Sequence, residues 1–465
     1  MRTPATRDQA DAHRFGVRRL ESALVRGDPV PLHEQLRTQR RAAVAGAVLG
    51  VLALVGAFVW AKIDPRPGWS AQAVVVGAES GAMYVVAHGP DRLVPVANLP
   101  AGRLVLAALR RGGATGADPA TAEPVLVADA DLDAAPRTPT AAVPGATAVR
   151  LGGAVVAPRW AVCDVTDAET GSFRTVVVGG TAPIVGDAAP VLLAVEGGGT
   201  WLVVGGRRHR VDPADRAATG ALGLDGREPR LASAALVNAL PEGVPLRTPR
   251  VPDAGASGPD GVGEVGDVLV VAPLGGAAPT FHVLLAGGAQ QVPAAVAEAL
   301  RAAGAVAREV GPDVVARLRP LVALDVVGWP DAVTPPSDAP VVCVMWSDAD
   351  GTASVVGPAL PVPAAAAGVD LAQADGPGER ADAVVLVPAG GGAVRATGPG
   401  RAPGAGPLWL VAATGVAYGV ADEPTAHALG IRAAEPAPEW ALRLLPVGGT
   451  LDVSAAERTV DVLPG

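Results

Sequence analysis

The sequence predicts a single N-terminal transmembrane helix followed by an α+β extracytoplasmic domain. In that domain, four small β-hairpin and helix repeats surround a β-rich central core with pseudo-two-fold symmetry. Three observations lead to this prediction. One long apolar stretch without charges lies near the N-terminus, four similar segments recur at near-constant spacing, and each of two cysteines lies between two of these segments. With 465 residues, the chain is long enough for two or three domains.

The apolar stretch covers residues 42–61 and contains no charged residue. A helix of this length is about 30 Å long, which matches the hydrocarbon core of a bilayer. Arg37, Arg40 and Arg41 precede it, and basic flanks tend to stay on the cytoplasmic side. We therefore expect a single-pass membrane protein, with residues 1–41 in the cytoplasm and the bulk of the chain outside.

A cleaved secretory signal is the alternative interpretation of this stretch. Signal peptides begin with a short basic segment and have an apolar core of about 7–15 residues. Here 41 residues precede a longer core, which favours a retained membrane span.

Charge is distributed differently on the two sides of the expected span. Residues 1–41 carry a net charge of +4, whereas the rest of the chain carries −13. A basic tail suits the anionic inner leaflet, and an acidic outer domain argues against nucleic-acid binding. Gly and Pro together make up 104 residues, but runs of Val and Leu recur throughout, which predicts short strands joined by tight turns.

Four segments of the outer domain resemble one another. Each opens with an aromatic residue in an apolar strand, continues through a glycine-containing turn into a second strand, and ends in an alanine-rich stretch that reaches a leucine. The aromatic residue and the leucine are 20, 21, 19 and 20 positions apart. The four pairs are Tyr84 and Leu104, Trp201 and Leu222, Phe281 and Leu300, and Trp409 and Leu429. Each segment is therefore predicted to form a β-hairpin covered by a short helix.

In these repeats the opening aromatic residue is predicted to be a core residue that faces the helix of its own repeat. Trp201 is expected to pack near Leu222, and Trp409 near Leu429. The alternative is that these tryptophans lie at an interface, where Trp is also favoured.

The two cysteines, Cys163 and Cys343, are both expected outside the membrane. In an oxidising compartment such a pair most simply forms one disulfide, and two buried free thiols on neighbouring strands are the alternative. A disulfide would make segments 180 residues apart neighbours in one core. Repeats 1 and 2 flank Cys163, and repeats 3 and 4 flank Cys343. This order predicts a duplicated half with one cysteine in each copy.

The expected organisation has nine segments, and each half consists of a repeat, a core segment and a second repeat. The segments are a cytoplasmic basic tail (1–41), the transmembrane helix (42–61), repeat 1 (70–116), the first core segment (117–195), repeat 2 (196–250), repeat 3 (262–328), the second core segment (329–380), repeat 4 (381–456) and a C-terminal tail (457–465).

No catalytic, cofactor or metal site is predicted. A P-loop needs a lysine after a glycine-rich turn, and the only lysine of the chain, Lys62, lies at the expected membrane edge. The six histidines lack metal-ligand spacing, and neither cysteine lies in a motif typical of thiol nucleophiles. Asp129, Asp131 and Asp133 alternate, so all three would face one side of a strand. An outer-domain hydrolase, which needs a polar catalytic cluster, is therefore disfavoured.

Three segments carry motifs that occur in a fixed order. They are HRFGVRRLESALVRGD from His13, SGAMYVVAHGPDRLVPVANLPAGRLVL from Ser80, and EPVLVADADLDAAPRTPTAAVPGA from Glu123. The first resembles the RF-x-x-RR-x-x-x-AL pattern of EccB, the single-pass membrane component of actinobacterial type VII (ESX) secretion systems. The second resembles that family's first repeat, G-x-x-Y-V…L-x-PV-x-NL-x-x-x-RL. The third resembles its PR…PGAP segment, with Thr147 in place of the last Pro, and the two cysteines fall where the family has its pair.

The resemblance covers nearly the whole chain and implies a structural subunit of a large inner-membrane complex. EccB-like proteins assemble with EccC, EccD and EccE, and their outer domains meet around a central axis. The implied partners are these components, other EccB copies and a mycosin protease. Family members are often labelled ATPases, although this sequence has no nucleotide motif. The competing interpretation is a membrane-tethered module that binds the cell wall (peptidoglycan), because small repeated domains on a tether suit glycan docking.

Overall fold

A computed structural model of the chain contains two compact units, residues 1–67 and residues 68–465. The structure describes residues 6–27, 32–62, 68–114, 116–138, 140–141, 145–146, 149, 151, 159–167, 169–180, 188–272, 278–331, 334–376, 378–387, 391–398, 401–402 and 404–458. Thr147 of the third motif and most of the expected C-terminal tail lie outside the described residues.

The first unit contains two helices, α1 (Arg7–Arg26) and α2 (Leu32–Lys62). Helix α1 begins with a capping box, in which the Thr6 and Gln9 side chains each accept a hydrogen bond from the other residue's amide, and it ends at Gly27 in the left-handed region. Within α2, Gln39–Val59 is the one helical segment among the described residues that is long and apolar enough to cross a bilayer. The predicted span, residues 42–61, therefore lies inside a longer continuous helix.

The second unit contains four small sheets that share one order of elements. Each has three antiparallel strands, a helix, a fourth strand parallel to the first, and a second helix. In each sheet the first strand lies between the second and the fourth. We call them repeat sheets 1 to 4. Their common topology agrees with four repeats, although each is larger than the predicted hairpin and helix.

The elements follow in chain order. Repeat sheet 1 comprises β1 (Val74–Gly77), β2 (Met83–Ala87), β3 (Arg92–Val96), α3 (Leu99–Arg111), β4 (Pro124–Val127) and α4 (Asp129–Asp133). The next strands, β5 (Arg159–Thr166) and β6 (Phe173–Gly180), belong to a central sheet. Repeat sheet 2 comprises β7 (Val191–Val195), β8 (Gly199–Val204), β9 (Arg207–Val211), α5 (Arg216–Ala221), β10 (Arg230–Leu231) and α6 (Ala234–Asn238).

The second half follows the same plan. Repeat sheet 3 comprises β11 (Val268–Val271), β12 (Thr280–Leu285), β13 (Gly288–Val292), α7 (Ala294–Ala302), β14 (Ala307–Glu309) and α8 (Pro312–Arg317). The central sheet then gains β15 (Val341–Ser347), β16 (Gly351–Gly357), β17 (Gly368–Asp370) and β18 (Ala383–Val387). Repeat sheet 4 comprises β19 (Gly391–Thr397), β20 (Leu408–Ala412), β21 (Ala417–Val420), α9 (Glu423–Ala428), β22 (Glu435–Pro438) and α10 (Glu439–Leu444).

The central sheet has the strand order β16-β15-β5-β6-β18-β17. Strands β5 and β15 are antiparallel, and their register places Cys163 directly opposite Cys343. Each of them forms a hairpin with its successor, so β16-β15 and β5-β6 are two hairpins related by a local two-fold axis between β15 and β5. The expected two-fold relation therefore applies to these four strands. Strands β18 and β17 continue the sheet beyond β6, and no described strand matches them beyond β16.

The strand pairing differs from the expected organisation at three boundaries. Strands β4 and β7, which fall in the expected first core segment (117–195), belong to repeat sheets 1 and 2. Strand β18, which falls in the expected repeat 4 (381–456), pairs with β6 in the central sheet. Each of these three strands pairs in parallel with a partner distant in sequence, and such pairing leaves no local hairpin pattern in the sequence.

Repeat sheets 2 and 4 cover one face of the central sheet. Their buried residues, such as Val203 and Val411, share one hydrophobic cluster with Trp160, Val162 and Val344 of the central sheet. The other face of repeat sheet 4 packs against repeat sheet 1, and that of repeat sheet 2 packs against repeat sheet 3. The two halves of the domain are therefore interleaved, because each half packs its first repeat against the second repeat of the other half.

All four leucines predicted as core residues are buried: Leu104, Leu222, Leu300 and Leu429. Among the aromatic residues, Trp201 is buried, and the others are partly buried, namely Tyr84, Phe281 and Trp409. Burial of the helix leucines thus agrees with the repeat pattern, whereas three of the four aromatic residues are only partly buried.

The prediction that Trp201 packs near Leu222 is wrong. Trp201 shares a hydrophobic cluster with the central sheet, whereas Leu222 shares one with Leu202 and repeat sheet 3. Because neighbouring residues of a strand point to opposite faces, Leu202 faces the helix and Trp201 faces away from it. Both faces of this strand are buried, so the sequence has no apolar–polar alternation that would distinguish them.

Repeat sheet 4 has the same arrangement. Leu410 shares a cluster with Leu429, whereas Trp409 packs toward the central sheet, so the predicted contact of Trp409 with its helix is also wrong. Tyr84 likewise packs on the face away from its helix leucine. Phe281 differs, because it packs in the same cluster as the helix leucine of its repeat.

Candidate functional site

The cysteine pair lies in the middle of the central sheet. Cys163 and Cys343 form a disulfide, their Cα atoms are 4.0 Å apart, and both residues are buried. The bond lies on the face opposite repeat sheets 2 and 4, in a smaller cluster with Val178 and Met345. The predicted disulfide is therefore confirmed, and it joins residues 180 positions apart.

The predicted topology signal lies at the start of the apolar part of α2. Arg40 and Arg41 are exposed, and Arg37 lies in the same helix, although its side chain is outside the described residues. Within Gln39–Val59, no residue is buried by the described part of the protein. Leu49 and Phe58, for example, are 67% and 67% exposed. Such a continuous apolar surface requires a lipid or protein environment.

Asp164 follows the cysteine in β5 and carries a buried carboxylate. Its Oδ1 accepts hydrogen bonds from Thr175 Oγ1 (2.9 Å) and Ser233 Oγ (2.8 Å), and its Oδ2 accepts one from the Ser233 amide (2.7 Å). Ser233 also caps α6, since its Oγ accepts a hydrogen bond from the Leu236 amide. Burial raises the pKa of Asp164, and these hydrogen bonds act in the opposite direction. The carboxylate fastens repeat sheet 2 to the central sheet.

Arg230 supplies a cation at the same junction. Its guanidinium donates hydrogen bonds to the backbone oxygens of Asp164, Ala339 and Pro340 and to Thr166 Oγ1. Burial lowers the pKa of Arg230, and the negative charge of Asp164 opposes that shift. This side chain therefore ties β10 to β5 and to the segment that leads into β15.

A second buried carboxylate, that of Asp382, lies just before β18, on the other side of β6 from Asp164. Its Oδ2 accepts a hydrogen bond from the Thr175 amide (2.7 Å), and its Oδ1 accepts from the amides of Asp375 (2.8 Å) and Gly376 (2.9 Å). The buried carboxylates of Asp164 and Asp382 thus both accept hydrogen bonds that hold chain segments together, which is a structural role.

Arg103 connects repeat sheets 1 and 4. It lies in α3 and is 5% exposed. Its Nη1 donates to the backbone oxygen of Leu429 (3.0 Å) just after α9, and its Nε donates to that of Ala122 (3.3 Å). Burial lowers the pKa of Arg103, and the charges of Glu123 and Asp118 oppose that shift. The guanidinium satisfies carbonyl groups that would otherwise lack a donor at a helix end.

The alternating aspartates do not form a strand. Asp129–Asp133 is the short helix α4, and Asp129 accepts hydrogen bonds from the amides of Glu79 (2.7 Å) and Ser80 (3.3 Å). The prediction that the three carboxylates share one face of a strand is therefore wrong, because the run begins where Asp129 holds the turn after β1. Within the ranges that the structure describes, no three His, Cys, Asp or Glu side chains are placed to hold a metal ion.

A groove on repeat sheet 3 encloses about 420 Å³. Apolar residues such as Val315, Leu318 and Val322 line it together with His282 and Gln291. Burial lowers the pKa of His282, which favours a neutral imidazole at neutral pH. The groove has the size of a small-molecule site, and its imidazole and amide can form hydrogen bonds to a polar ligand.

Sequence reasoning missed Arg103, Asp164 and Arg230. A signal was present for the first two, because each is a single charged residue within an apolar run, LPAGRLVLAAL and WAVCDV. A buried charge needs partners, so such a residue predicts a polar connection between elements. Arg230 has no comparable pattern in the sequence around it.

These features define a class of protein: a repeat-built structural domain with a membrane-anchor helix, in which a disulfide and buried polar side chains join the sheets. Comparison with known proteins identifies the family. The chain belongs to the EccB family, since the family model described as "Type VII secretion system ESX-1, transport TM domain B" matches residues 2–465.

Two mycobacterial relatives resemble the chain over nearly its whole length. It is 32% identical over 500 residues to the protein named "ESX-3 secretion system ATPase EccB3" of Mycobacterium tuberculosis (strain H37Rv), covering 98% of this chain and 90% of the relative. It is 32% identical over 494 residues to "ESX-5 secretion system ATPase EccB5" of the same strain, covering 99% and 94%.

Two solved structures have the same fold. A chain in the structure of an intact ESX-5 inner membrane complex matches with a TM-score of 0.71 and 30% identity, covering 100% of this chain and 97% of that one. A chain of the EccB3 dimer from the ESX-3 core complex matches with a TM-score of 0.68 and 28% identity, covering 83% and 99%. The fold class predicted from the sequence, an N-terminal apolar helix followed by a β-rich domain of small sheets, is confirmed.

Proposed function

We propose that the chain is a structural subunit of a type VII (ESX) protein secretion complex in the inner membrane. Its extracytoplasmic domain would mediate self-association and assembly of the membrane pore complex. The observation that carries the proposal is the likeness of the whole chain to a chain of the solved ESX-5 inner membrane complex. The likeness to the EccB3 dimer supports self-association. The buried polar groups described above all join parts of one domain, as expected of a scaffold.

The test is the composition of the native complex. The full chain with an affinity tag is extracted in mild detergent, and the co-purifying proteins are identified by mass spectrometry. EccC, EccD and EccE are expected, together with a second, differently tagged copy of the chain, and a mycosin protease in smaller amount. Recovery of the chain alone, as a monomer, would contradict the proposal.

The proposed topology places residues 1–41 in the cytoplasm and everything after Lys62 outside. Support comes from Arg37, Arg40 and Arg41 before the apolar segment and from the disulfide beyond it, which suits an oxidising compartment. A reporter that is active only outside the cytoplasm should work when fused after Gly68 and fail when fused at Thr38. The reverse pattern would invert the topology.

The relatives are named ATPases, but we expect no ATP hydrolysis by this outer domain. The support is the lack of a P-loop in the sequence, whose only lysine is Lys62. Purified residues 68–465 should show no magnesium-dependent ATP turnover above buffer. A rate that survives repurification and disappears after one substitution in this chain would refute the expectation.

Binding to the cell wall is the second candidate function, and the groove on repeat sheet 3 is the observation that favours it. Residues 68–465 would then be retained on purified peptidoglycan. Substitution of Val322, which is 86% exposed in that groove, by Glu should release them, whereas the same change at Val447, 67% exposed elsewhere, should not. No retention of the unmodified domain removes this candidate.

A further inference from the structure

Helix α1 has an uncovered apolar face. Val17, Leu20 and Leu24 are three and four positions apart, which places them in one stripe along the helix. They are 42%, 65% and 84% exposed, and α1 has no buried residue. The helix is fixed by its own caps, Thr6 and Gly27, so the stripe is a property of the local sequence.

Helix α1 is basic as a whole. It has five Arg and three acidic residues, of which Arg14 and Glu21 lie beside the stripe, and Arg18 and Arg19 lie further around the helix. Arg14 also forms an exposed ion pair with Asp11 at 3.5 Å. Long arginine side chains beside an apolar stripe extend toward anionic headgroups when such a helix lies in a membrane interface. The net positive charge of α1 therefore favours an anionic membrane surface as the partner that the stripe contacts.

The chain itself keeps α1 near the bilayer. Helix α1 ends at Arg26, 13 positions before the candidate span begins at Gln39. The part of α2 before residue 42 is about 15 Å long, and the five residues between the helices add about 16 Å at most. The end of α1 is thus held within roughly 30 Å of the membrane surface, about the length of α1 itself.

We infer that α1 lies on the membrane that α2 spans, with the Val17–Leu20–Leu24 stripe inserted among anionic lipids. The inference rests on the proposed anchoring of the chain by α2. It does not rest on which side of the membrane the N-terminus lies, because a test bilayer can present the same lipids on both sides. A membrane fits the stripe better than a protein partner does, because a lipid surface lies within reach wherever α2 is inserted, and a net-basic helix with an apolar stripe suits an anionic lipid surface.

Spin labels on the full chain in lipid nanodiscs test this inference. The two native cysteines are joined in a disulfide, so one introduced cysteine can be labelled without reductant. Leu24→Cys and Val25→Cys form a matched pair, because these neighbours are 84% and 81% exposed but Val25 lies outside the stripe. In discs containing phosphatidylglycerol, the ratio of oxygen to nickel-chelate accessibility should be severalfold higher at position 24 than at position 25. The difference should fall in discs of phosphatidylcholine alone.

A charge substitution gives the second measurement. With the label at position 24, Leu20→Glu should lower the accessibility ratio to that of position 25, whereas Val25→Glu, which adds the same charge, should leave it high. Equal water accessibility at positions 24 and 25 in anionic discs would overturn the inference. Protection of position 24 only after the other secretion components are added would overturn it in favour of a protein partner. Neither result would affect the proposed scaffold function, which is tested by co-purification.

Discussion

Cys163 and Cys343 are directly opposed across β5 and β15, and the register is symmetric about them. Val165, two residues after the first cysteine, pairs with Val341, two residues before the second. The disulfide therefore lies where the local two-fold axis of strands β16, β15, β5 and β6 crosses the sheet. One covalent bond thus joins the two halves of the domain at the point where they meet.

Loss of this bond should weaken the outer domain strongly. A link between residues 180 positions apart contributes up to about 5 kcal/mol through the entropy of the unfolded chain. Residues 68–465 should therefore unfold at lower urea concentration when reduced. The double variant Cys163→Ala and Cys343→Ala should match the reduced protein. Two thiols that react with an alkylating reagent in the unreduced, denatured domain would show that the bond is not formed.

Trp409 and Leu410 provide a matched pair for the two faces of β20. Trp409→Ala should remove a contact with the central sheet, and Leu410→Ala should remove one with repeat sheet 1 and α9. Both should lower the melting temperature of residues 68–465. The expected loss of unfolding free energy is about 2–5 kcal/mol for Leu410→Ala and about 3 kcal/mol for Trp409→Ala, since Trp409 is partly buried. Unchanged melting of the Trp409 variant, together with loss of the assembled complex, would instead identify Trp409 as a contact residue.

Arg103 should matter far more than other arginines of the same helix. Arg103→Met leaves the buried carbonyl oxygens of Leu429 and Ala122 without their donor, which should cost about 1–3 kcal/mol in urea unfolding. Arg110→Met is the control, because Arg110 is half-exposed and forms a surface ion pair with Asp118 at 3.7 Å. That change should cost less than about 1 kcal/mol. Equal losses would mean that the buried hydrogen bonds contribute nothing specific.

Asp164 should make stability depend on pH. Burial raises the pKa of Asp164 in the folded chain, whereas the unfolded chain has the ordinary aspartate pKa of about 3.9. Between these two pKa values, the folded state holds a proton that the unfolded state has lost. Stability should fall as pH rises through that window and stay constant above it. Measured against Asp164→Asn, the unmodified domain should thus lose unfolding free energy as pH rises from about 4.

The control for this titration is Asp370→Asn, since Asp370 is 88% exposed and its change should shift stability by no more than about 0.5 kcal/mol at any pH. The opposite trend, in which the unmodified domain gains stability over Asp164→Asn with rising pH, would contradict the prediction. It would show that the hydrogen bonds from Thr175 and Ser233 outweigh burial.

The sequence was sufficient to predict the elements of the fold that depend on local pattern. Residues 42–61 required only length and hydropathy, and the burial of Leu104 or Leu429 followed from helical spacing. The face on which Trp201 lies could not be predicted, because Trp201 and Leu202 are both apolar and both buried. A one-residue change of register reverses every side chain of a strand, and only the tertiary contacts decide between the two.

The candidate site was less predictable than the fold. The cysteine pairing was accessible because the chain has two cysteines in all. The contacts of Arg103 were not, because its acceptor at Leu429 lies 326 positions away. Polar connections of this kind depend on which repeats become neighbours, and that follows from the interleaving of the halves.

This interleaving has a consequence for biogenesis. In the proposed topology, the first repeat would emerge from the translocation machinery long before the fourth repeat, against which it packs. A domain with so many distant contacts folds slowly, and its partly exported forms expose apolar surface. The domain should therefore stay sensitive to proteases until nearly its entire length has crossed the membrane. A nonsense mutation late in the gene should accordingly leave the first repeat without its partner and the product prone to degradation.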